Sequence, residues 1–312
     1  MNEKSKKAYF DNYDVKKIKS EFFSFYHPFS LMTYFCCILL LIMFTTNPYI
    51  LAIGLIGGMT FSFMNDKGKS VLKDIRFYLV LFVLVSLSNP IFSHNGETVL
   101  MKIGNVNVTF ESLINGIVIA LLIITVMVWC KNYSTIMTQD KFLFLFSGFV
   151  PKIALILSMI IRFIPLFREK LKSINESQKV LGAYSSNKPL EKIKSYLSTF
   201  SFLITWSLEN SIETAYSMKS RGYGLKNKTR YTVYKFGSKD VLLIVISLIL
   251  TAVCLIGIIL GSLSFEFYPV ITISEINYMT MASYLSFFIL SFIPFIIETK
   301  ENVKWKYYVS KI

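Results

Sequence analysis

Six apolar runs, each about 16 to 23 residues long and free of Asp, Glu, Lys and Arg, constrain this chain most. A helix of that length crosses the hydrocarbon core of a bilayer. The runs are Phe29 to Thr46, Tyr49 to Met64, Phe77 to Phe92, Leu113 to Cys130, Val241 to Leu263 and Met279 to Ile297. The composition agrees: 54% hydrophobic residues, 17% charged residues and a mean hydropathy of +0.53 are values a soluble domain of this size would not tolerate. The predicted fold class is an all-α polytopic membrane protein with about six transmembrane helices. The first run begins late, has no small-residue cleavage pattern behind it and leads directly into the second, so it is read as a retained span.

Orientation follows from the basic residues. They crowd the N-terminal segment (Lys4, Lys6, Lys7, Lys16, Lys17, Lys19), the loop Lys67 to Arg76, a long insert between the fourth and fifth runs, and the C-terminal tail. The opposite loops are nearly bare: His94 to Ser112 has only Lys102, and Ser264 to Thr280 carries Glu266 and Glu275 instead. The positive-inside rule then predicts that both termini and the insert face the cytoplasm. The order along the chain is a membrane part of four helices (1–131), a cytoplasmic insert (132–239), and a transmembrane pair with its tail (240–312).

The net charge of +14 follows cytoplasmic flanks, where topology and anionic membrane lipid account for it without a nucleic-acid partner. Cys36 and Cys37 are adjacent in the first span, Cys130 ends the fourth and Cys254 lies in the fifth, a spacing that forms no disulfide framework or metal site. Two histidines, His27 and His94, cannot build a histidine-based metal or catalytic centre. Paired carboxylates, an HExxH motif and a serine with a histidine partner are all lacking, so no catalytic, cofactor-binding or metal residue is expected. Gly68, Lys69 and Ser70 imitate the end of a phosphate-binding loop, but Phe63 occupies the position of its first glycine, which leaves a basic turn.

Within the insert, Phe142 to Phe167 is apolar but is divided by Pro151 and Lys152 and carries Arg162. Basic residues on both sides (Lys131 and Lys141; Arg168, Lys170 and Lys172) require an even number of crossings, and neither piece spans comfortably. An in-plane or protein-buried arrangement is favoured, with a re-entrant pair as the alternative. Ser173 to Leu181 continues a helix that Gly182 can end. After the loop AYSSNKP, Asn187 can cap and Pro189 can open another helix, with Ile193, Leu197 and Phe200 on one face. A last helix carries Ile204, Leu208, Ile212 and Ala215 opposite Glu209, Asn210 and Glu213, and closes at Ser220, Arg221 and Gly222. An arginine before glycine at a helix end is ordinary punctuation. It is also a fixed guanidinium able to enter an acidic groove and bind it bidentately.

Several ordered signatures bear on that choice. They are HPFS (His27 to Ser30), NPIFSHNGET (Asn89 to Thr98) with VNVTFESL (Val106 to Leu113), PKIALILSMIIRFIPLF (Pro151 to Phe167), SQKVLGA (Ser177 to Ala183) and AYSMKSRGYG (Ala215 to Gly224). In place and order they resemble the transmembrane T component of energy-coupling factor (ECF) transporters, the CbiQ-like family, over most of the chain. The family carries an arginine before glycine in each of two coupling motifs, and each arginine enters a groove on a cytoplasmic ATPase. Here the second motif is intact, with Ser220 and Gly222 shaping the end around Arg221. The first has Leu181 in the arginine position before Gly182, and Lys179 lies on another helix face. That end implies either an apolar contact or a specialised ATPase.

The resemblance implies a multi-pass protein of a bacterial or archaeal cell membrane, without catalytic activity of its own. Its partners would be two ATP-binding-cassette subunits and a small membrane-embedded S component that binds a vitamin or other micronutrient. Ile160, Ile161, Phe163 and Leu166 are expected to pack between the coupling helices and the S component. The alternative is a self-sufficient carrier driven by an ion gradient. Such carriers keep ionisable residues or broken helices at the midplane, whereas these spans have no ionisable side chain. Gly54 and Gly58 form a small-xxx-small pair suited to close helix packing, and Pro90 and Pro294 are candidate kink sites.

Overall fold

His27 opens the first apolar helix because three requirements meet there. Its Nδ1 accepts the Phe29 N–H at 3.2 Å as an N-cap, Pro28 occupies the first helical position, where a missing N–H costs nothing, and its backbone N–H donates to Asp240 at 2.7 Å. Ser30 Oγ donates to the His27 carbonyl at 2.7 Å and lies 3.2 Å from the same Asp240 oxygen. In this computed structural model the described residues are 22–65, 69–92, 98–103, 106–182, 189–225, 234–266, 272–273 and 277–309. Lys4 to Lys19, Lys67, Gly68, His94 and Asn187 lie outside them.

The helices in chain order are α1 (Pro28–Phe44), α2 (Pro48–Asn65), α3 (Lys69–Phe92), α4 (Phe110–Ile136), α5 (Gln139–Phe149), α6 (Pro151–Val180), α7 (Pro189–Ser220), α8 (Ser238–Ile259) and α9 (Tyr278–Val309). A 3-10 turn over Phe22–Phe25 precedes them. Two antiparallel hairpins, β1 (Val99–Ile103) with β2 (Val106–Thr109) and β3 (Phe265–Glu266) with β4 (Thr272–Ile273), lie in the connections between apolar helices. The fold is all-helical and polytopic, and the hairpins are details that sequence periodicity did not reveal. Each of the six apolar runs contributes a helix. Five are long and apolar enough to cross a membrane, while α1 has only 17 residues. Pro90 lies inside α3 and Pro294 inside α9, and all four cysteines are free thiols.

By internal contacts the chain forms two units, residues 1–141 with 234–312, and residues 142–233. In the first, α1 packs against α8 and α4, α2 against α4 and α9, α3 against α4, and α8 against α9. The core is built from Leu31, Tyr34, Phe35 and Ile38 of α1 with Phe61, Trp129 and Phe287. Close approach of α2 and α4 depends on glycine, as the sequence predicts. A Cβ on Gly58 would stand 2.9 Å from Val128 Cγ1, tighter than side chains allow, and the Gly58 carbonyl accepts from Asn132 Nδ2 at 2.9 Å. The Gly54 carbonyl takes the indole N–H of Trp129 at 2.9 Å.

Polar groups at the helix ends fasten this bundle. Asp240 Oδ2 accepts the Gly237 N–H at 2.8 Å while its other oxygen holds His27 and Ser30, so one buried carboxylate ties α8 to the start of α1. Glu298 of α9 is buried and accepts the Phe22 and Phe23 N–H groups at 3.2 and 3.0 Å. Lys141 is buried too, its ammonium donating to both oxygens of Ser24 at 2.6 Å and to the Ile136 carbonyl at 2.9 Å. The sequence reading took Lys141 as a flanking topological charge; in the fold it is an internal clamp. Lys131 pairs with Asp74.

Candidate functional site at two glycine-stopped helix ends

The second unit contains two long helices, α6 and α7. Val150 is non-helical, at φ −135° and ψ 84°, and Pro151 takes the first position of α6, so the proline divides the apolar stretch as its chemistry dictates. Pro165 lies inside α6 without ending it. The two helices expected after Asn187 are instead one continuous 32-residue helix, α7. No Gly or Pro interrupts residues 190–220, and the step from Phe200 to Ile204 keeps helical spacing, so the apolar stripe runs through. Met218 and Tyr223 at the far end of α7 share a groove with Leu155 and Met159 near the start of α6, while Phe167 meets Trp206 edge-on at 5.8 Å, so the pair is antiparallel.

At the end of α7, the Tyr223 N–H bonds to the Met218 carbonyl and the Gly222 N–H to the Lys219 carbonyl, both at 3.0 Å. This is a Schellman stop, with Gly222 in the left-handed region at φ 85°. It leaves Arg221 exposed in the cap position, and none of the described carboxylates pairs with it. Ser220 turns its hydroxyl back to the Ser217 carbonyl at 2.9 Å. The cation complements the negative end of the helix dipole while staying available to a partner.

At the end of α6, Leu181 caps the helix and Gly182 follows at φ 75°, its N–H donating to Lys179 at 3.0 Å. Here the projecting side chains are apolar: Val180 is 89% and Leu181 78% exposed. The Arg221 end lies beside the start of α6 and the Leu181 end at its finish, separated by roughly 40 Å of helix axis at 1.5 Å per residue. The structure therefore does not bring the two ends together.

Between α6 and α7 runs a groove of about 430 Å³, lined among others by Met159, Phe163, Thr214, Ala215, Met218 and Tyr223. Of the four residues expected to pack between the coupling helices and the S component, Phe163 lines this groove and stacks on Phe167 at 5.9 Å; Ile161 and Leu166 are half-buried, and Ile160 is exposed. Sequence reasoning missed Tyr223, Trp206 and Lys170, whose ammonium sits 5.6 Å from the Trp206 ring centroid. Aromatic spacing on α6 and α7 was the available signal. Along α7, Ile193, Leu197, Phe200, Ile204, Leu208 and Ile212 form one exposed stripe. A contiguous exposed apolar surface of this kind is typical of faces that contact a partner protein or a membrane.

Apolar helices together with a separate long helix pair define the class: a multi-pass protein of the cell membrane. The family model for the cobalt transport protein, CbiQ, matches residues 27–231, about two thirds of the chain. Similar proteins include the energy-coupling factor transporter transmembrane protein EcfT of Lactococcus lactis subsp. cremoris, 28% identical over 195 residues, covering 58% of this chain and 72% of that protein. EcfT of Ruminiclostridium cellulolyticum is 28% identical over 219 residues (66% and 81%), and EcfT of Bacillus subtilis 26% identical over 204 (62% and 74%). The chain belongs to the CbiQ family, that of the transmembrane T components of energy-coupling factor transporters.

Proposed function

We propose that this chain is the non-catalytic scaffold that couples ATP hydrolysis by two cytoplasmic ATPase subunits to reorientation of a membrane-embedded S component during micronutrient uptake. The carrying observation is the exposed Arg221, fixed at a Schellman stop and left without a carboxylate partner among the described residues. A guanidinium held this way loses little freedom on entering an acidic groove and forms two parallel hydrogen bonds there. Closure of the ATPase pair on ATP would pull on the ends of α6 and α7, and the exposed stripe of α7 would pass that motion to the S component. In this reading residues 132–239 form the coupling region between the membrane parts 1–131 and 240–312, with both termini in the cytoplasm. The S component selects the substrate.

The two ends divide the work unequally. Arg221 supplies a charge-assisted contact that salt weakens, whereas Val180 and Leu181 supply an apolar one that salt leaves largely intact. Arg221→Ala should weaken ATPase association by about 2 kcal/mol, roughly 30-fold. Co-purification of the ATPases and vitamin uptake in native membranes read this directly, and wild-type values for both would sink the assignment. Purification of the chain alone, together with ion-driven transport in liposomes, would favour the self-sufficient carrier.

A further inference from the structure

At one end of α8 and α9 the first unit has a groove of about 350 Å³ with two chemically distinct halves. One half is aliphatic, lined by Leu242 and Ile246 on α8 and by Ile289, Ile293 and Ile296 on α9. Spacings of four and of four plus three place these residues on one face of each helix. The other half is polar, with Lys239, Lys300, Lys304, Glu301 and Tyr26. Glu301 is shared by Lys239 at 3.6 Å and Lys304 at 3.5 Å. Two ammonium groups thus share one carboxylate, Lys300 lines the same groove, and none of the described carboxylates pairs with Lys300.

The change from polar to aliphatic coincides with the edge of the apolar runs, which begin at Val241 on α8 and end at Ile297 on α9. Lysines therefore stand where headgroups lie and isoleucines where acyl chains lie. A ligand matching both halves carries a negative charge joined directly to a hydrocarbon chain. We infer that this groove is a binding site for one anionic phospholipid, its phosphodiester held by Lys239, Lys300 and Lys304 and one acyl chain laid along Ile246 and Ile293. A zwitterionic lipid has the same chain, but its added cation would meet a headgroup site already in positive excess. An acidic helix of a partner protein would complement the lysines but offers no hydrocarbon for the aliphatic half.

The test uses the full-length chain in mild detergent, with dissociation constants for phosphatidylglycerol and phosphatidylcholine measured by native mass spectrometry. The wild type should bind one phosphatidylglycerol at least about tenfold more tightly than phosphatidylcholine, since each interfacial lysine contributes about 1 kcal/mol, or roughly fivefold. Lys239→Gln with Lys300→Gln and Lys304→Gln should abolish that preference and leave phosphatidylcholine binding unchanged. Ile246→Trp, which fills the aliphatic half and keeps every lysine, should weaken both lipids and covers the case in which the triple variant is poorly folded. Equal binding of the two lipids by the wild type would overturn the site. So would wild-type lipid selectivity in a folded triple variant, or unaltered affinities in Ile246→Trp.

Discussion

Trp129 and Trp206 sit in the two units of this protein and show how differently the units use apolar surface. Trp129 is fully buried in the bundle, with Tyr34 and Phe35 edge-on at 6.3 and 6.2 Å and its N–H satisfied by Gly54. Trp206 is half-buried, met by Phe167 and by the ammonium of half-buried Lys170, on a helix whose apolar stripe is exposed. The bundle buries one face of its helices among aromatic and aliphatic neighbours and leaves other faces bare, most of all on α3, whereas in α7 Thr199 is the buried residue among those described. A helix pair that leaves its large side chains uncovered presents the kind of apolar surface that contacts a partner protein or a membrane. On the proposed function, the difference separates residues that hold this chain together from residues that meet partners.

Truncation tests that division most severely in the bundle. Trp129→Ala removes a fully buried aromatic and its hydrogen bond, and should cost about 3–5 kcal/mol, read as a lower melting temperature of the purified chain in detergent. If the chain melts as the wild type does, the core has been misplaced. The converse variant, Leu197→Ser with Leu208→Ser, alters two exposed positions of α7 and should shift the stability of the isolated chain by no more than about 1 kcal/mol. Recovery of the S component with the tagged chain should fall sharply. A large loss of stability without loss of assembly would mean that the stripe serves the chain itself.

The smallest effect concerns the cap of α1. Burial lowers the pKa of His27, with Asp240 opposing it, and its Nδ1 must be unprotonated to accept the Phe29 N–H. A histidine whose folded pKa is depressed keeps its full contribution above the ordinary value of about 6.5 and loses it as the pH falls below that, because the unfolded chain takes up the proton first. Between pH 7.5 and 5.5 the wild type should therefore lose more stability than His27→Gln. Parallel melting curves for the two proteins would refute this account of the cap.

Much of this architecture was legible in the chain. Uninterrupted apolar runs gave the membrane helices, since hydrocarbon admits few other sequences. Pro151 gave the break between α5 and α6, Gly182 and Gly222 gave the stops, and Gly58 gave the close contact with α4, because each residue has an unusual backbone or steric property that acts locally. Where a boundary depended on the absence of a breaker, reading by segments failed, and α7 was divided in two. The roles of Asp240, Glu298 and Lys141 were also hidden. Their partners His27, Phe22, Phe23 and Ser24 lie far away along the chain, and a charged residue beside an apolar run reads as a solvated flank.

By itself, then, the sequence determined the membrane class, the helix stops and the asymmetry between Arg221 and Leu181, since composition, glycine and side-chain charge need no distant partner to take effect. Tertiary structure decided which apolar faces are consumed and which remain. Ile38 and Ile204 are chemically alike and both belong to helical stripes, yet Ile38 is fully buried in the bundle and Ile204 is exposed on α7. Only the packing of other helices against one stripe and not the other makes that distinction, because burial belongs to the neighbours a residue acquires on folding and not to the residue.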